Sequence, residues 1–501
     1  MRRAFGVWIL LTTAGAGLNW ARSFSGRVMT NPPQSIAELE QWIERRLQAA
    51  GTPGAAVILE RRGEVLLARG FGYRDVEAGA IADIDTVFGS GSVTKSLTAL
   101  AVLLLEEDRR LTTQDLVTAH LPELHLPGAE AAAITIHHLL THTAGLPPLP
   151  SRHYAWLSQD DLEPFERAGL KPLPAREPIR SFAELIAFLG EHPFEPHAPP
   201  GTQFSYSNEG YNLLGAIIER VSGQPLPDFV RDRILIPAGM RRSSLDLAFT
   251  LSLDNVTRLY VGQDDKVTAS ANWFNPACWL AAGGLRTTAR DLVRFFRMLA
   301  QGGVIEGSRI ASLQSVARMT SAYTPGLVGD SYGYGLSVSD LSGHGLASHG
   351  GGHKGVSAFA GFVAEDGIVC AVLTNFAGSP AQQVGIGCLQ TALGLPLGPL
   401  VPTRAPIALA AETLASFCGA YRSGEGANFK VSLDEAGRVV FTQDGQTLLA
   451  DPTAEDAITF STPVGGAQTI RFVRMGGGEI SHAFTGGRLI KRHETDAPGS
   501  R

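Results

Sequence analysis

The sequence predicts an α/β (α+β) protein: an antiparallel sheet flanked by helices, an all-helical region, and then a small C-terminal antiparallel β domain. Apolar runs on either side of short polar turns predict hairpins at 54–73 and 356–374. Between residues 97 and 313 the pattern is mostly that of helices and loops. Beyond the prolines at 396–406, apolar and polar residues alternate, which is typical of strands with one buried face.

The predicted helices have recognisable ends. Ser35 precedes a periodic apolar run, and Glu38 follows three residues later, which predicts a capped helix over 35–50. Similar signals predict three further helices, at 208–221, 289–299 and 381–392. We expect the sheet and its backing helices to form two layers, with the all-helical region beside them.

The N-terminus predicts export. Met1-Arg2-Arg3 is followed by an apolar run from Ala4 to Gly17, which is too short to cross a bilayer comfortably, and small residues stand at 14–16. We interpret residues 1–24 as a cleavable export signal; an uncleaved anchor is the alternative. The boundaries that follow are a main domain at 33–395, a Pro-rich linker at 396–408 and a β barrel or sandwich at 409–498, in which we identify no candidate catalytic group.

Composition excludes several classes of function. The 501 residues are 44% hydrophobic and 18% charged with a net charge of −6, and no basic tract predicts a nucleic-acid partner. Beyond the possible N-terminal signal or anchor, no segment predicts a membrane span. Four cysteines lie far apart without a Cys-x-x-Cys motif, which argues against a zinc or redox centre. An exported protein can oxidise a pair of them, but the spacing does not select which.

The most informative motif is Ser92-Val93-Thr94-Lys95, which stands where a helix begins. Residues three apart share one face of a helix, so the amine of Lys95 can reach the hydroxyl of Ser92. A serine is a weak nucleophile until a neighbouring base activates it, and a helix N-terminus favours a nearby oxyanion. Alone, however, Ser-x-x-Lys is expected by chance about once in a chain of this length.

A second polar cluster is Tyr206-Ser207-Asn208, just before a predicted helix. Tyr206 can act as a general base or acid, if either it is partly deprotonated or Lys95 is neutral. Asn208 can donate to a substrate carbonyl and accept from Lys95. The alternative is a simple helix cap beside a packing tyrosine.

A third cluster is the Gly-rich stretch that runs from His349 to Ser357. Its glycines let a strand approach a ligand closely, and a backbone N–H there could join that of Ser92 in an oxyanion hole. His349 can bind or orient a substrate. His344 and His353 lie nearby, but their spacing does not predict convergence on a metal, and the motifs require neither a metal nor another cofactor.

In this order the three motifs resemble the serine β-lactamase and penicillin-binding-protein-like superfamily, and most of all its class C β-lactamase, DD-carboxypeptidase, D-aminopeptidase and esterase branch. The resemblance covers about residues 35–395 and includes flanking segments at 136–146, 200–208 and 282–285. It implies a fold with Ser92 between the sheet and the helical region.

The resemblance also implies a role for each motif residue. Ser92 is the expected acylated nucleophile, Lys95 its activating partner and Tyr206 the general base or acid. The expected substrate-binding residues are Asn208, His349, Gly351 and Gly352, with Gly351 keeping the strand open and Gly352 supplying the second oxyanion donor. A histidine at 349, where lactamases typically have the lysine of Lys-Thr-Gly, argues against strong β-lactamase activity.

These expectations describe a serine hydrolase of the peptidase or esterase type, acting on a D-amino-acid peptide or amide or on a carboxylic ester. The substrate is a small molecule or a peptide. β-Lactamase or acyltransferase activity at the same site remains an alternative. So does a non-catalytic protein that binds peptidoglycan-like ligands.

Overall fold

The computed structural model describes residues 35–493, except 129, 156–177, 264–265, 271–272, 274, 326–330, 399–403, 444, 463–465 and 476–477. The predicted export signal lies outside the described residues, as do part of the linker and the last residues of the β domain. The α-helices are α1 Ile36–Ala49, α2 Thr94–Glu107, α3 Val117–His120, α4 Ile136–Leu140, α5 Ser151–Ala155, α6 Phe182–Glu191, α7 Asn208–Ser222, α8 Leu226–Val230, α9 Leu247–Ser252, α10 Leu280–Gly283, α11 Ala289–Ala300, α12 Leu313–Met319, α13 Ala381–Leu393 and α14 Ala411–Phe417.

The strands are β1 Gly54–Arg61, β2 Glu64–Asp75, β3 Ala80–Ile81, β4 Phe88–Gly89, β5 Tyr260–Gln263, β6 Lys266–Ala269, β7 Arg286–Thr287, β8 Val304–Ile305, β9 Ser308–Arg309, β10 Thr324–Pro325, β11 Ser331–Tyr332, β12 Ser337–Leu341, β13 His344–His353, β14 Val356–Val363, β15 Ile368–Thr374, β16 Gly419–Arg422, β17 Phe429–Leu433, β18 Val439–Gln443, β19 Gln446–Ala454, β20 Ala457–Thr462, β21 Gly466–Val473, β22 His482–Thr485 and β23 Arg488–His493. Both predicted hairpins are present. Within the described residues no helix is both long and apolar enough to cross a membrane.

The main sheet brings distant parts of the chain together. Within the described ranges it has nine strands in the order β10-β11-β12-β13-β14-β15-β1-β2-β3. The N-terminal hairpin joins the later strands where β1 pairs antiparallel with β15, with Val57 opposite Val372. Residues 54–60 of β1 are buried in succession, as expected of a strand that is covered on both faces.

The predicted antiparallel sheet flanked by helices is confirmed, although helices cover both of its faces and not one face as in a two-layer arrangement. Ala56 and Ile58 belong to the core on the side of the helical region, which includes α2, α7 and α11. Val57 and Leu59 belong to a second core with α1 and α13. Successive strand residues point to opposite faces, so an uninterrupted apolar run supplies both cores.

The C-terminal segment forms a closed β barrel. A barrel is one of the two folds, barrel or sandwich, that the sequence predicted. Within the described residues eight antiparallel strands, β16 to β23, close on themselves through the pairing of β16 with β23. Its interior is filled by apolar side chains, among them the stacked rings of Phe441 and Phe460, whose centroids are 4.2 Å apart. Closure leaves no unpaired sheet edge, so a small domain can be stable with few residues.

Candidate active site

Ser92 lies on a 3₁₀ turn, Gly91–Val93, that leads directly into α2. Gly91 has a φ of 52°, and a Cβ there would lie 2.6 Å from the backbone nitrogen of Gly352. A residue with a side chain is therefore excluded at position 91, both by the positive φ and by the contact with Gly352. The hydroxyl of Thr94 donates to the Gly91 carbonyl at 2.7 Å and accepts from the Leu285 N–H at 3.0 Å, which fixes the turn against the segment 282–285.

Lys95 is fully buried at the base of this turn. Its Nζ donates to Ser92 Oγ at 3.2 Å, to Asn208 Oδ1 at 2.9 Å and to the Ala282 carbonyl at 2.7 Å. Three acceptors match the three N–H donors of the ammonium form, and in the neutral amine form the nitrogen lone pair can face Ser92 Oγ at the same distance. The interaction predicted from the Ser-x-x-Lys spacing is therefore present, and Asn208 accepts from Lys95 as expected.

The Tyr206 phenol forms a hydrogen bond with the Ser92 hydroxyl. The Lys95 Nζ lies 4.8 Å from the centroid of the Tyr206 ring. Burial raises the pKa of the Tyr206 phenol above its usual 10, although the hydrogen bond from Ser92 and the charge of Arg488 lower it in part. A partly deprotonated Tyr206 is thus disfavoured, and its neutral phenol is suited to giving a proton away.

Buried rings pack beside the Tyr206 side chain. The ring centroids of His142 and Tyr206 are 4.1 Å apart, and His142 in turn contacts the rings of Tyr211 and Tyr332. His142 follows α4 with a φ of 58°, and its Nδ1 accepts from the Ser207 N–H at 3.1 Å. Its Nε2 is buried and has no hydrogen-bond partner among the described residues. Burial keeps the pKa of His142 well below 6.5, which makes it neutral.

His349 lies within β13, not in a loop, and is 5% exposed. Its Nε2 is 2.9 Å from the Tyr332 hydroxyl, and its Nδ1 is 2.6 Å from the Gly350 carbonyl oxygen, so Nδ1 donates and Nε2 accepts. Burial and the nearby charge of Lys95 lower the pKa of His349 to about 3. The residue is therefore neutral at physiological pH and orients Tyr332 instead of offering a positive charge.

The glycines of β13 allow the strand to approach the nucleophile turn. A Cβ on Gly351 would lie 1.9 Å from the Ser90 carbonyl oxygen and 3.1 Å from the Ser92 nitrogen. Only a residue without a side chain fits, which is the physical reason for the open strand expected from Gly351. Gly352 follows in contact with Gly91, so all seven predicted site residues lie in one cluster.

Sequence reasoning missed two charged residues of the C-terminal barrel. Glu425 Oε1 accepts from Asn208 Nδ2 at 3.2 Å, and Arg488 lies over the Tyr206 ring at 4.8 Å. The sequence indicated no candidate catalytic group in this domain, and it gave no sign that these two residues contact Asn208 and Tyr206. Alternation predicts strands, but no local pattern marks which loop between strands will touch another domain.

A buried carboxyl stands in the first turn of α7, where the sequence predicts an ordinary helix charge and not a catalytic carboxylate. Glu209 is fully buried and accepts hydrogen bonds from Ser151 and Ser207. Burial and the charge of Glu425 raise its pKa to about 7. An acidic residue in the first turn of a helix usually faces solvent, so only the tertiary structure reveals this one.

Comparisons with known proteins agree with this geometry. A family model described as Beta-lactamase matches residues 39–386. Protein flp of Staphylococcus aureus strain MW2 is 31% identical over 217 residues, which are 43% of this chain and 39% of flp. The chain therefore spans about two fifths of the length of that relative.

Two solved structures are similar over most of their length. A penicillin-binding protein homologue from Pyrococcus abyssi has 27% identity and a TM-score of 0.65, covering 88% of this chain and 96% of the homologue. The D-amino acid amidase of Ochrobactrum anthropi SV3 has 25% identity and a TM-score of 0.56, covering 71% of this chain and 98% of the amidase. With the family match across most of the chain, these findings show that the protein belongs to the beta-lactamase family, within the serine β-lactamase and penicillin-binding-protein-like superfamily.

Proposed function

We propose that this protein is a serine hydrolase that forms an acyl-enzyme on Ser92 and cleaves an amide or ester bond. The observation that carries the proposal is the 3.2 Å contact between Lys95 Nζ and Ser92 Oγ, on a turn that faces Gly351 and Gly352. A hydroxyl, a buried amine and two converging backbone N–H groups are the parts that acyl transfer needs.

In the proposed acylation, Ser92 Oγ bonds to the substrate carbonyl carbon and its proton passes to Lys95 in the neutral amine form. The carbonyl oxygen becomes an oxyanion held by the N–H groups of Ser92 and Gly352. When the intermediate collapses, the bond to the leaving group breaks, and the Tyr206 phenol protonates the departing amine or alkoxide. Lys95 returns its proton to Tyr206, which restores the phenol.

Deacylation runs through the same groups with water in place of the leaving group. Water adds to the acyl carbon and gives one proton to the Tyr206–Lys95 pair, and Ser92 Oγ leaves with a proton from that pair. Asn208 helps to position the substrate carbonyl in both steps. If an alcohol or amine replaces water, the same sequence gives acyl transfer.

The proposed substrates are D-amino-acid peptides or amides and carboxylic esters. The D-amino acid amidase, whose fold covers 71% of this chain, supports an amide substrate. The neutral His349 argues against a β-lactam, since it offers no charge to the β-lactam carboxylate where lactamases typically have a lysine. His349, Gly351 and Gly352 are proposed to line the substrate site with Asn208.

A substrate panel tests this proposal. Wild type and Ser92→Ala are assayed with D-aminoacyl amides, nitrophenyl esters and a chromogenic β-lactam, with and without an added alcohol. Ser96→Ala is the matched control, because this buried hydroxyl on α2 donates to Gly335 and not to the site. We expect ester or amide turnover that survives Ser96→Ala and falls at least about a thousandfold in Ser92→Ala. Equal turnover by wild type and Ser92→Ala contradicts the proposal, and labelling of Ser92 without turnover of any substrate favours a binding protein.

We also propose that the protein is exported, as the arginines and short apolar run of residues 1–17 suggest. Mass spectrometry of the protein from the producing cells should find a mature N-terminus near residue 25. An intact Met1 on protein retained in the cytoplasm contradicts export.

A further inference from the structure

The end of the barrel that faces the candidate site is formed by two loops. Residues 423–428 join β16 to β17, and residues 486–487 join β22 to β23. We call residues 423–428 and 486–488 the barrel tip. The Gly487 carbonyl accepts from the Tyr206 N–H at 2.8 Å, and a Cβ on Gly487 would lie 3.6 Å from the Tyr206 Cβ. The barrel tip is thus in direct backbone contact with the segment that carries Tyr206 and Asn208.

Glu425 is the acidic residue of this tip. Its side chain is 1% exposed, and its Oε2 accepts from Arg488 Nε at 2.6 Å. Its Oε1 accepts from Asn208 Nδ2 at 3.2 Å. A buried carboxylate needs a counter-charge and hydrogen-bond donors, and Arg488 and Asn208 supply both.

The amide of Asn208 has a donor end and an acceptor end, and the site uses both. Its Oδ1 accepts from Lys95 at 2.9 Å, while its Nδ2 donates to Glu425. A half-turn of the amide would place N–H groups against the N–H groups of Lys95 and leave the Lys95 hydrogen bond unmade. A carboxylate only accepts hydrogen bonds, so Glu425 holds the amide in the orientation that Lys95 requires.

We propose that Glu425 of the C-terminal barrel is a positioning residue for the acylation centre, which it orients through Asn208 and Lys95. The inference rests on the proposed function, because it gives the barrel a part in the reaction at Ser92. It means that the site is complete only when the barrel is docked. The barrel tip then contributes to catalytic rate without touching the reacting atoms.

The charged and titratable groups around Glu425 set a second effect. Glu209 of α7, Arg488 of β23 and Tyr206 of the segment before α7 interact with Glu425 directly. Lys95 of α2 is joined to Glu425 through Asn208, and His142, which follows α4, and His349 of β13 lie near Lys95. Removing the negative charge of Glu425 makes the Lys95 ammonium less stable. It also removes a repulsion that disfavours the ionised Glu209 carboxylate. The pH profile of acylation should therefore move to lower pH in a variant without this charge, by roughly one unit.

Glu425→Gln tests the positioning role. A glutamine has nearly the same shape but cannot accept from both Arg488 and Asn208, because one of its two terminal atoms is a donor. The measured quantities are the rate constant for labelling Ser92 with a fluorophosphonate, its pH profile, and kcat and KM for an ester. Glu195→Gln is the matched control, since Glu195 pairs with Lys491 across the same interface but has a side chain that is 80% exposed.

We expect Glu425→Gln to lower kcat and the labelling rate by about ten- to a hundredfold, with KM within roughly twofold of wild type. The control should keep its rate and its pH profile. Rates are expressed per folded molecule, from the amplitude of the unfolding transition. If Glu425→Gln does not fold, Glu425→Asp carries the test, because its shorter carboxylate cannot reach both partners and should lose about fivefold or more.

The outcomes separate the two proposals. Unchanged rates and pH profile in folded Glu425→Gln, with wild type labelled and Ser92→Ala unlabelled, overturn the positioning role alone. A lower melting temperature with unchanged labelling shows a purely structural role and overturns it too. No labelling of wild type at Ser92 overturns the proposed function and this inference with it.

Discussion

The proposed chemistry depends on how individual side chains are held. Lys95 is fully buried and has an acceptor for each N–H, so its direction is set before a substrate arrives. The Tyr206 phenol has a pKa raised by burial and forms a hydrogen bond with Ser92. We assign Lys95 to the serine proton and Tyr206 to the leaving group, because a phenol that stays protonated can donate but is a poor base.

The role of Tyr206 predicts a specific loss. Tyr206→Phe removes the hydroxyl that reaches Ser92 and keeps the ring, so the rate of acyl transfer should fall by about a hundred- to ten-thousandfold. Tyr211→Phe is the control: it lies in the same aromatic cluster, but its hydroxyl donates to the Leu140 carbonyl. Pre-steady-state ester hydrolysis measures both. A Tyr206→Phe variant as fast as Tyr211→Phe would remove Tyr206 from the mechanism.

The buried carboxyl of Glu209 predicts a pH dependence of stability. Its pKa is raised from 4.5 to about 7 by burial and by Glu425. The folded state therefore holds a proton that the unfolded chain releases, and the stability gained at low pH is lost as the pH rises from 4.5 to 7. Relative to Glu209→Gln, wild type should lose up to roughly 3 kcal/mol of unfolding free energy over this window. Urea denaturation at each pH measures the two unfolding free energies. A difference between wild type and Glu209→Gln that stays constant from pH 4.5 to 7 would contradict this assignment.

At the scale of elements, the site lies where three parts of the fold meet. The 3₁₀ turn before α2 carries Ser92, the start of α7 carries Asn208, and β13 supplies the glycines. The start of each was marked in the sequence by its own signal: a helix-forming run, a favoured cap residue and consecutive glycines. These motifs are far apart in the chain. The pairing of β13, β14, β15 and β1 brings the later strands next to the N-terminal hairpin, and no local signal in the sequence specifies this pairing.

The close contact of Gly351 with the nucleophile turn predicts that Gly351→Ala slows the labelling of Ser92 and that Gly350→Ala does not. Gly351→Ala places a Cβ 1.9 Å from the Ser90 carbonyl, so β13 must move away from the nucleophile turn. Labelling of Ser92 should fall tenfold or more, because an oxyanion donor displaced by about 1 Å is largely lost. In Gly350→Ala the nearest atom is 3.8 Å away, and the rate should be unchanged. Equal labelling rates for the two variants would contradict the idea that Gly351 keeps the oxyanion donor in place.

At the scale of the whole molecule, the barrel packs against the domain that holds Ser92. Besides the barrel tip, His482 of β22 meets His197 with ring centroids 4.7 Å apart. One ring nitrogen of each, His197 Nδ1 and His482 Nε2, is buried and has no hydrogen-bond partner within the part of the chain that the structure describes. Burial lowers the pKa of His197 to about 3 and that of His482 to about 4. Both rings are therefore neutral in the docked protein at physiological pH.

This interface predicts acid sensitivity. A histidine with a lowered pKa stabilises the folded state above pH 6.5, and the stabilisation is lost as the pH falls from 6.5 towards about 4. In His482→Asn, the unfolding free energy should decrease less over this pH range than in wild type, by at most about 3 kcal/mol. Thermal unfolding at each pH measures this decrease. His125→Asn, at an exposed histidine, is the control and should leave the fall unchanged. Identical pH profiles for both variants would contradict a role for this contact.

The sequence was sufficient to single out residues that the structure brings together and to predict the types of element, and insufficient for the contacts between domains. Ser92, Lys95, Tyr206 and Asn208 were identified because nucleophilic chemistry restricts which residue types can stand at such spacings. Glu425 was not, because its importance arises only from the docking of the barrel. The boundaries at 395 and 409 remain proposals.

The central claim is that Ser92 is acylated, and trapping the intermediate tests it most directly. Wild type is quenched in acid during turnover of an ester, digested and mapped by mass spectrometry. We predict a mass increase equal to the acyl group on the peptide that contains Ser92, which is absent from Ser92→Ala. An acyl group on another residue, or the same adduct in Ser92→Ala, would contradict the account.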